Sequence, residues 1–260
     1  MARAKSTRSP AAPADYWQLS KQSWTSLLFI APMLVLYESG VLALGNVATR
    51  NGADVWLRGF LDRIGLGQYF LLPALVCGIL LAWHYLTRQP WTVRGKVLGL
   101  MLGESLLLGW ILLVIAQAQG SLFHELSTSI PAETVATGAR QATFSRIIGY
   151  LGAGIYEELL FRLMLLPVVI VAIQACGFAP RASVIAGILI VSVIFSAAHY
   201  KLDFELGPWH VATRYGDVWS YYTFTFRFLA GVFFAVLFQW RGFGIAAGSH
   251  ALYDIAVALL

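Results

Sequence analysis

Between Ser145 and Cys176 the chain reads SRIIGYLGAGIYEELLFRLMLLPVVIVAIQAC. A helix that crosses a bilayer needs about 20 mostly apolar residues, and this run is long enough, yet Glu157, Glu158 and Arg162 lie in its middle. Ionisable side chains at bilayer depth are costly, so a cluster of them marks function before packing. Glu158 and Arg162 are four apart, share a helix face and can pair. Glu157 is rotated by about 100° and lacks that local partner. A carboxylate left over in this way is a candidate general base. A purely architectural ion pair would account for Glu158 and leave Glu157 unexplained.

Six further apolar runs flank this one, at roughly 24–44, 65–86, 97–118, 182–200, 220–240 and 244–260. The expected fold is all-α: a polytopic transmembrane helix bundle of about seven spans with the active site inside it. Composition agrees. Of the 260 residues 58% are hydrophobic and 12% charged, about half the charge of a soluble domain, and mean hydropathy is +0.70. The net charge of +5 does not point to nucleic acid, because the basic residues lie in tails and short loops and not on one amphipathic element. The partner that composition implies is the lipid bilayer. Cys77 and Cys176 read as two buried free thiols, with no disulfide framework.

Three regions follow from this reading. Residues 1–21, with Arg3, Lys5, Arg8 and Lys21, form a polar, disordered cytosolic tail, residues 22–144 the N-terminal membrane helices, and residues 145–260 the helices that hold the ionisable cluster. With the N-terminus inside, the inner loops and tail carry nine Lys and Arg and the outer loops seven. The bias is clear in the tail and at 87–96, which favours a cytosolic N-terminus. In 53–64, Asp54, Arg58 and Asp62 recur every four residues beside Val55, Leu57, Phe60, Leu61 and Ile64, which reads as an amphipathic helix lying on the membrane. Trp209, Trp219, Tyr221 and Tyr222 suit an interfacial aromatic belt. Glu38 and Glu104 either line the site or sit near the interface, and His84, at a helix end, reads as interfacial.

Two more segments supply chemistry. His199 follows Phe195 by four residues at the end of the fifth run. The tight turn at 177–181 makes runs four and five antiparallel neighbours, so Glu157 and His199 fall at comparable depth. In the last run His250 and Asp254 share a face behind Gly244, Gly248 and Ser249, small residues that allow close helix approach. An acid one turn from a histidine can fix its tautomer.

Glu157-Glu158-x-x-x-Arg162, Phe195-x-x-x-His199 and His250-x-x-x-Asp254, in this order on separate membrane helices, resemble the CPBP family, which comprises type II CAAX prenyl endopeptidases and the bacteriocin-processing or immunity relatives also called ABI proteins. The resemblance covers roughly residues 145–260, and Arg227 with Gly231 resembles a looser motif of the same family. It implies that residues 145–260 are the catalytic helices of a glutamate-dependent intramembrane protease, without cofactor or metal, that acts on a membrane-associated protein or peptide substrate in a bacterial cell membrane. Glu157 and His199 would activate water, His250 and residue 254 would stabilise the oxyanion, and Glu158 and Arg162 would orient the site. Asp254 departs from the family, where asparagine is common, since an ionised carboxylate cannot donate a hydrogen bond. Two rival readings stay open. Glu157, His199, His250 and Asp254 could ligate zinc, although His124-Glu125 is followed by Thr128 where a zinc motif needs histidine. Intramembrane acids and histidines also serve non-enzymatic transport or immunity proteins.

Overall fold

The computed structural model describes residues 15–48, 50–123, 139–201, 203–206, 209–212 and 216–259. The tail over 1–14 and the stretch from His124 to Thr128 lie outside the described residues. In chain order the elements are α1 (Tyr16–Leu19), α2 (Ser23–Leu44), α3 (Gly52–Arg63), α4 (Leu71–Thr87), α5 (Gly95–Phe123), α6 (Ala139–Glu157), a π-helical segment (Glu158–Leu165), α7 (Leu166–Ala175), α8 (Pro180–Ala197), strands β1 (Asp203–Leu206) and β2 (Trp209–Ala212), α9 (Tyr221–Arg241) and α10 (Phe243–Leu259).

Local chemistry sets the boundaries. Asn51 caps α3, its Oδ1 accepting from the Ala53 amide at 2.8 Å. Gly65, at φ +79°, closes α3. Gly65 N–H donates to the Asp62 carbonyl and Leu66 N–H to the Leu61 carbonyl, the paired bonds of a left-handed C-cap. That cap explains why the second apolar run becomes helical only at Leu71. Among the described residues five helical stretches are long and apolar enough to cross a membrane, namely Ser23–Val47, Gly95–Ser121, Thr143–Ala175, Pro180–Ala197 and Tyr221–Arg241. The other two expected spans, α4 and α10, are shorter apolar helices of 17 residues.

The chain is an integral membrane protein, and its side chains are sorted accordingly. Trp110, Val168, Val171 and Ile185 are exposed on the outside of the bundle, whereas Glu38, Asp54, Glu157, Glu158, Arg162 and Arg241 are buried. A soluble protein sorts them the other way. At the centre stands α10, packed against α2, α5, α6 and α9. Residues 243–251 of α10 are all buried and mostly small. A Cβ at Gly154 of α6 would fall 2.5 Å from the Ala247 carbonyl oxygen, and one at Gly109 of α5 would fall 3.2 Å from that of Ser249. Backbones therefore meet directly, which is how helices associate where lipid removes the hydrophobic drive between them.

The all-α reading holds for the helix bundle, while several other expectations need correction. The chain adds one small hairpin, β1 with β2, antiparallel with Asp203 opposite Ala212. Its sequence, Asp-Phe-Glu-Leu then Trp-His-Val-Ala, alternates in polarity with the period of a strand, and it falls in the stretch read as an aromatic belt. In α3 the first two members of the polar repeat, Asp54 and Arg58, turn inward, while Asp62 stays exposed. Asp54 is fully buried, pairs with Arg50 and Arg58 and accepts from the Tyr37 hydroxyl, while Arg58 reaches Glu38 at 2.8 Å. Val55, Trp56, Phe60 and Ile64 are left exposed. The cause is Glu38, a buried acid on α2 that also accepts from the Tyr156 hydroxyl and needs a cation. For the same reason Glu38 lies outside the site. Glu104 does too: Arg241 grips it through Nε at 2.5 Å and Nη2 at 2.6 Å, and Tyr16 donates to it. Burial and the Glu104 carboxylate push the Tyr16 phenol up to about 12. His84, in the last turn of α4, is buried, with the Trp91 ring at 4.3 Å. Cys77 is half-buried and Cys176 exposed, so only part of the thiol reading holds.

Candidate active site

The site begins with a change of helix type. α6 ends at Glu157, and residues 158–165 are π-helical. Wider turns of this kind recur at functional sites. Pro167 follows in the first turn of α7, and a proline cannot donate to the carbonyl four residues back and clashes with it. The widened segment upstream accommodates that ring and sets the direction of both glutamates.

Glu158 is fully buried and pairs with Arg162 at 3.1 Å, as the spacing leads one to expect. The Arg162 guanidinium lies 4.2 Å from the Phe195 ring centre, and its Nη2 donates to the Gly231 carbonyl at 3.3 Å. Glu158 also meets His250, whose Nδ1 lies 2.8 Å from Glu158 Oε1. A carboxylate paired with arginine only accepts, so Nδ1–H of His250 donates to it. This corrects the expected pairing of His250 with Asp254. Glu158 fixes the ring, and Asp254 Oδ2 lies 3.6 Å from Nε2, beyond hydrogen-bond reach. The Phe234 ring stacks on the imidazole at 4.4 Å.

His199 lies just past α8. Its Nδ1 is 2.8 Å from the Phe195 carbonyl. A carbonyl can only accept, so the proton is on Nδ1, and in the neutral ring Nε2 carries the lone pair. Both histidines therefore aim Nε2 at the same atom. Glu157 Oε2 lies 3.8 Å from His199 Nε2 and 3.7 Å from His250 Nε2. It is buried and makes no hydrogen bond among the described residues. The other oxygen, Oε1, accepts from Asn51 Nδ2 at 2.7 Å. Glu157 is thus not partnerless, as the local sequence suggests. Its partner is 106 residues away.

The structure brings together all six residues read from the sequence: Glu157, Glu158, Arg162, His199, His250 and Asp254. Glu157, His199, His250 and Asp254 line a cavity of about 640 Å³. A second cavity of about 410 Å³, walled by Val55, Trp56 and Phe161, shares Arg50, Asn51, Gly52, Glu157 and His199 with the first. Arg227 lines the larger cavity, ion-paired with Asp217 and 5.2 Å from the centre of the Tyr200 ring. Both cavities lie toward the C-terminal end of α2, at the opposite end of the bundle from α1. Among the described residues no group of three or more His, Cys, Asp or Glu side chains is placed to hold a metal ion.

Sequence reasoning missed Asn51, Phe234 and the π-helical segment. Asn51 ahead of a periodic polar face is a legible helix cap, but nothing local aims it at Glu157. Pro167 was the available signal for the π segment.

Compared with models of protein families, residues 139–256 match the one described as type II CAAX prenyl endopeptidase Rce1-like. No curated protein matches the chain, and neither does any solved structure.

Proposed function

From the premise that residues 139–256 are a domain of the Rce1-like type II CAAX prenyl endopeptidase family, a family of hydrolases, we propose that the chain is an intramembrane endopeptidase acting on a membrane-associated protein or peptide. The observation that carries this reading is Glu157 Oε2, a buried carboxylate oxygen without a hydrogen bond among the described residues, facing two imidazole Nε2 atoms at 3.7 and 3.8 Å at the edge of a cavity. A water held between Oε2 and His199 Nε2 can donate to both. Glu157 takes one proton as the water oxygen attacks the scissile carbonyl carbon, and returns it to the leaving amine as the tetrahedral intermediate collapses. This is general acid–base catalysis with a geometry in reach of one water.

His250 faces the same space. Its Nδ1 proton is committed to Glu158, so only the imidazolium offers an Nε2 donor to the developing oxyanion, and the carboxylates of Glu157, Glu158 and Asp254 around it offset that charge. Asp254 acts through His250 and the cavity's charge balance. Arg162 keeps Glu158 in place as the acceptor that orients the ring.

The helices form one bundle of seven membrane segments, α4 and α10 being the short ones, with the N-terminus cytosolic. The loops at the α1 end carry Lys21, Arg88, Arg94, Lys96 and Arg181. At the cavity end Arg50, Arg58, Arg63 and Arg146 stand against them, so the bias rests on the tail and on residues 87–96. In that orientation the cavity mouth opens on the non-cytosolic side. The test is reconstitution. Purified protein in lipid vesicles is incubated with a quenched fluorescent peptide bearing a farnesylated cysteine three residues before its end. Release of fluorescence by the parent and not by Glu157→Gln supports the reading, and equal release by both overturns it.

A further inference from the structure

Asn51 lies outside the domain matched at 139–256, yet it makes the one hydrogen bond that Glu157 receives among the described residues. Its amide is engaged on both sides. Oδ1 accepts from the Ala53 backbone N–H at 2.8 Å, capping α3, and Nδ2 donates to Glu157 Oε1 at 2.7 Å. The first bond fixes the second. A backbone N–H can only donate, so the carbonyl oxygen of the side chain must face Ala53 and the NH2 group must face the glutamate. The helix cap thereby prevents an amide flip.

The consequence falls on the other carboxylate oxygen. With Oε1 held by Asn51, the Glu157 side chain cannot rotate about its terminal bond without losing that hydrogen bond, so Oε2 stays between His199 and His250. Asn51 and Glu157 both line the two cavities. Asn51 is therefore at the mouth of the site, on a segment anchored by the buried pairs of Asp54 with Arg50 and Arg58. We infer that Asn51 is a positioning residue for the reaction, through which the N-terminal segment 50–63 orients Glu157 for proton transfer.

The inference rests on the protease reading, and its test separates the two. Serine, aspartate and asparagine are comparably good helix caps, but only asparagine caps α3 through one atom and donates to Glu157 through another. Asn51→Ser keeps the cap and removes the Nδ2 group that reaches Glu157. Asn51→Asp keeps the cap and sets a carboxylate against a carboxylate. The full-length parent and both variants are purified in lipid nanodiscs and their thermal unfolding compared. The carboxylate stretching band of Glu157 is isolated as the infrared difference between each protein and its Glu157→Gln counterpart, which needs no substrate. Turnover is followed with the farnesylated peptide probe. Both variants should unfold like the parent. Their Glu157 band should move, and kcat should fall about 10- to 100-fold for Ser and further for Asp, with KM within about threefold, the size of effect expected of a group that orients a catalytic partner. A Glu157 band unmoved in both variants overturns the inference, as does full kcat in both. If the parent cleaves no probe, the band still decides the role of Asn51, and only the protease reading falls.

Discussion

Arg162→Met removes the cation from a pair in which both side chains are essentially buried, 1% and 0% exposed. At their separation of 3.1 Å and an effective dielectric of about 20, the lost attraction is about 5 kcal/mol. Breaking a buried pair by removing one partner costs about 3–5 kcal/mol in measured cases, so the two routes agree. The residue also lies over the Phe195 ring at 4.2 Å, and loss of that contact adds up to about 2 kcal/mol. Methionine recovers part of the packing, which brings the expected destabilisation back to about 3–5 kcal/mol. The double variant Glu158→Leu with Arg162→Met leaves no orphaned carboxylate and should recover most of that loss. It should not recover activity, because His250 then lacks the acceptor for its Nδ1 proton. The assay is reversible denaturant unfolding in detergent micelles across the double-mutant cycle, with turnover measured on the same samples. A cost below about 1 kcal/mol for Arg162→Met, or additive effects in the cycle, would refute the claim that this pair holds the site together.

Asp254→Asn should keep activity within about tenfold and move any alkaline loss of activity to lower pH, because it removes a carboxylate that offsets the charge of the His250 imidazolium. Paired pH–rate profiles with and without a chelator check this, and a dead variant with a chelator-sensitive parent would favour the zinc alternative. Gly154→Val should cost about 1–3 kcal/mol by overpacking and lose turnover, since its Cβ meets the Ala247 carbonyl at 2.5 Å. Gly59→Ala, with nothing within 4 Å of the new Cβ, should change stability by less than about 1 kcal/mol. Unfolding of both variants tests the close packing on α10. Reporter fusions after Arg94 should read cytosolic and fusions after Arg63 non-cytosolic, and the reverse pattern would invert the proposed orientation.

The six polar site residues were legible because each stands out against an apolar helix, and because helical spacing alone pairs Glu158 with Arg162. What could not be read were relations between segments. His250 takes its orientation from Glu158, 92 residues earlier, although Asp254 is the nearer acid in sequence. α3 shows the same limit. Its four-residue polar repeat is real, but a repeat does not say which way it faces, and the buried Glu38 on α2 decides that Asp54 and Arg58 face inward. The inverted apolar face then meets the outside of the bundle, which is what lipid requires. Periodicity likewise could not locate the switch from α to π at Glu158, because an apolar run scores alike in either helix. The boundary at Leu71 depended on a single glycine cap, and the hairpin at 203–212 on a period-two pattern too short to compete with the aromatic residues around it.

The central claim is that Glu157 drives peptide-bond hydrolysis in the membrane. The direct measurement is a map of new protein termini in membranes from cells producing the parent or Glu157→Gln at equal, correctly inserted levels. The account predicts a set of termini on membrane-associated proteins that appear with the parent and vanish with the variant. Identical termini from both would contradict it.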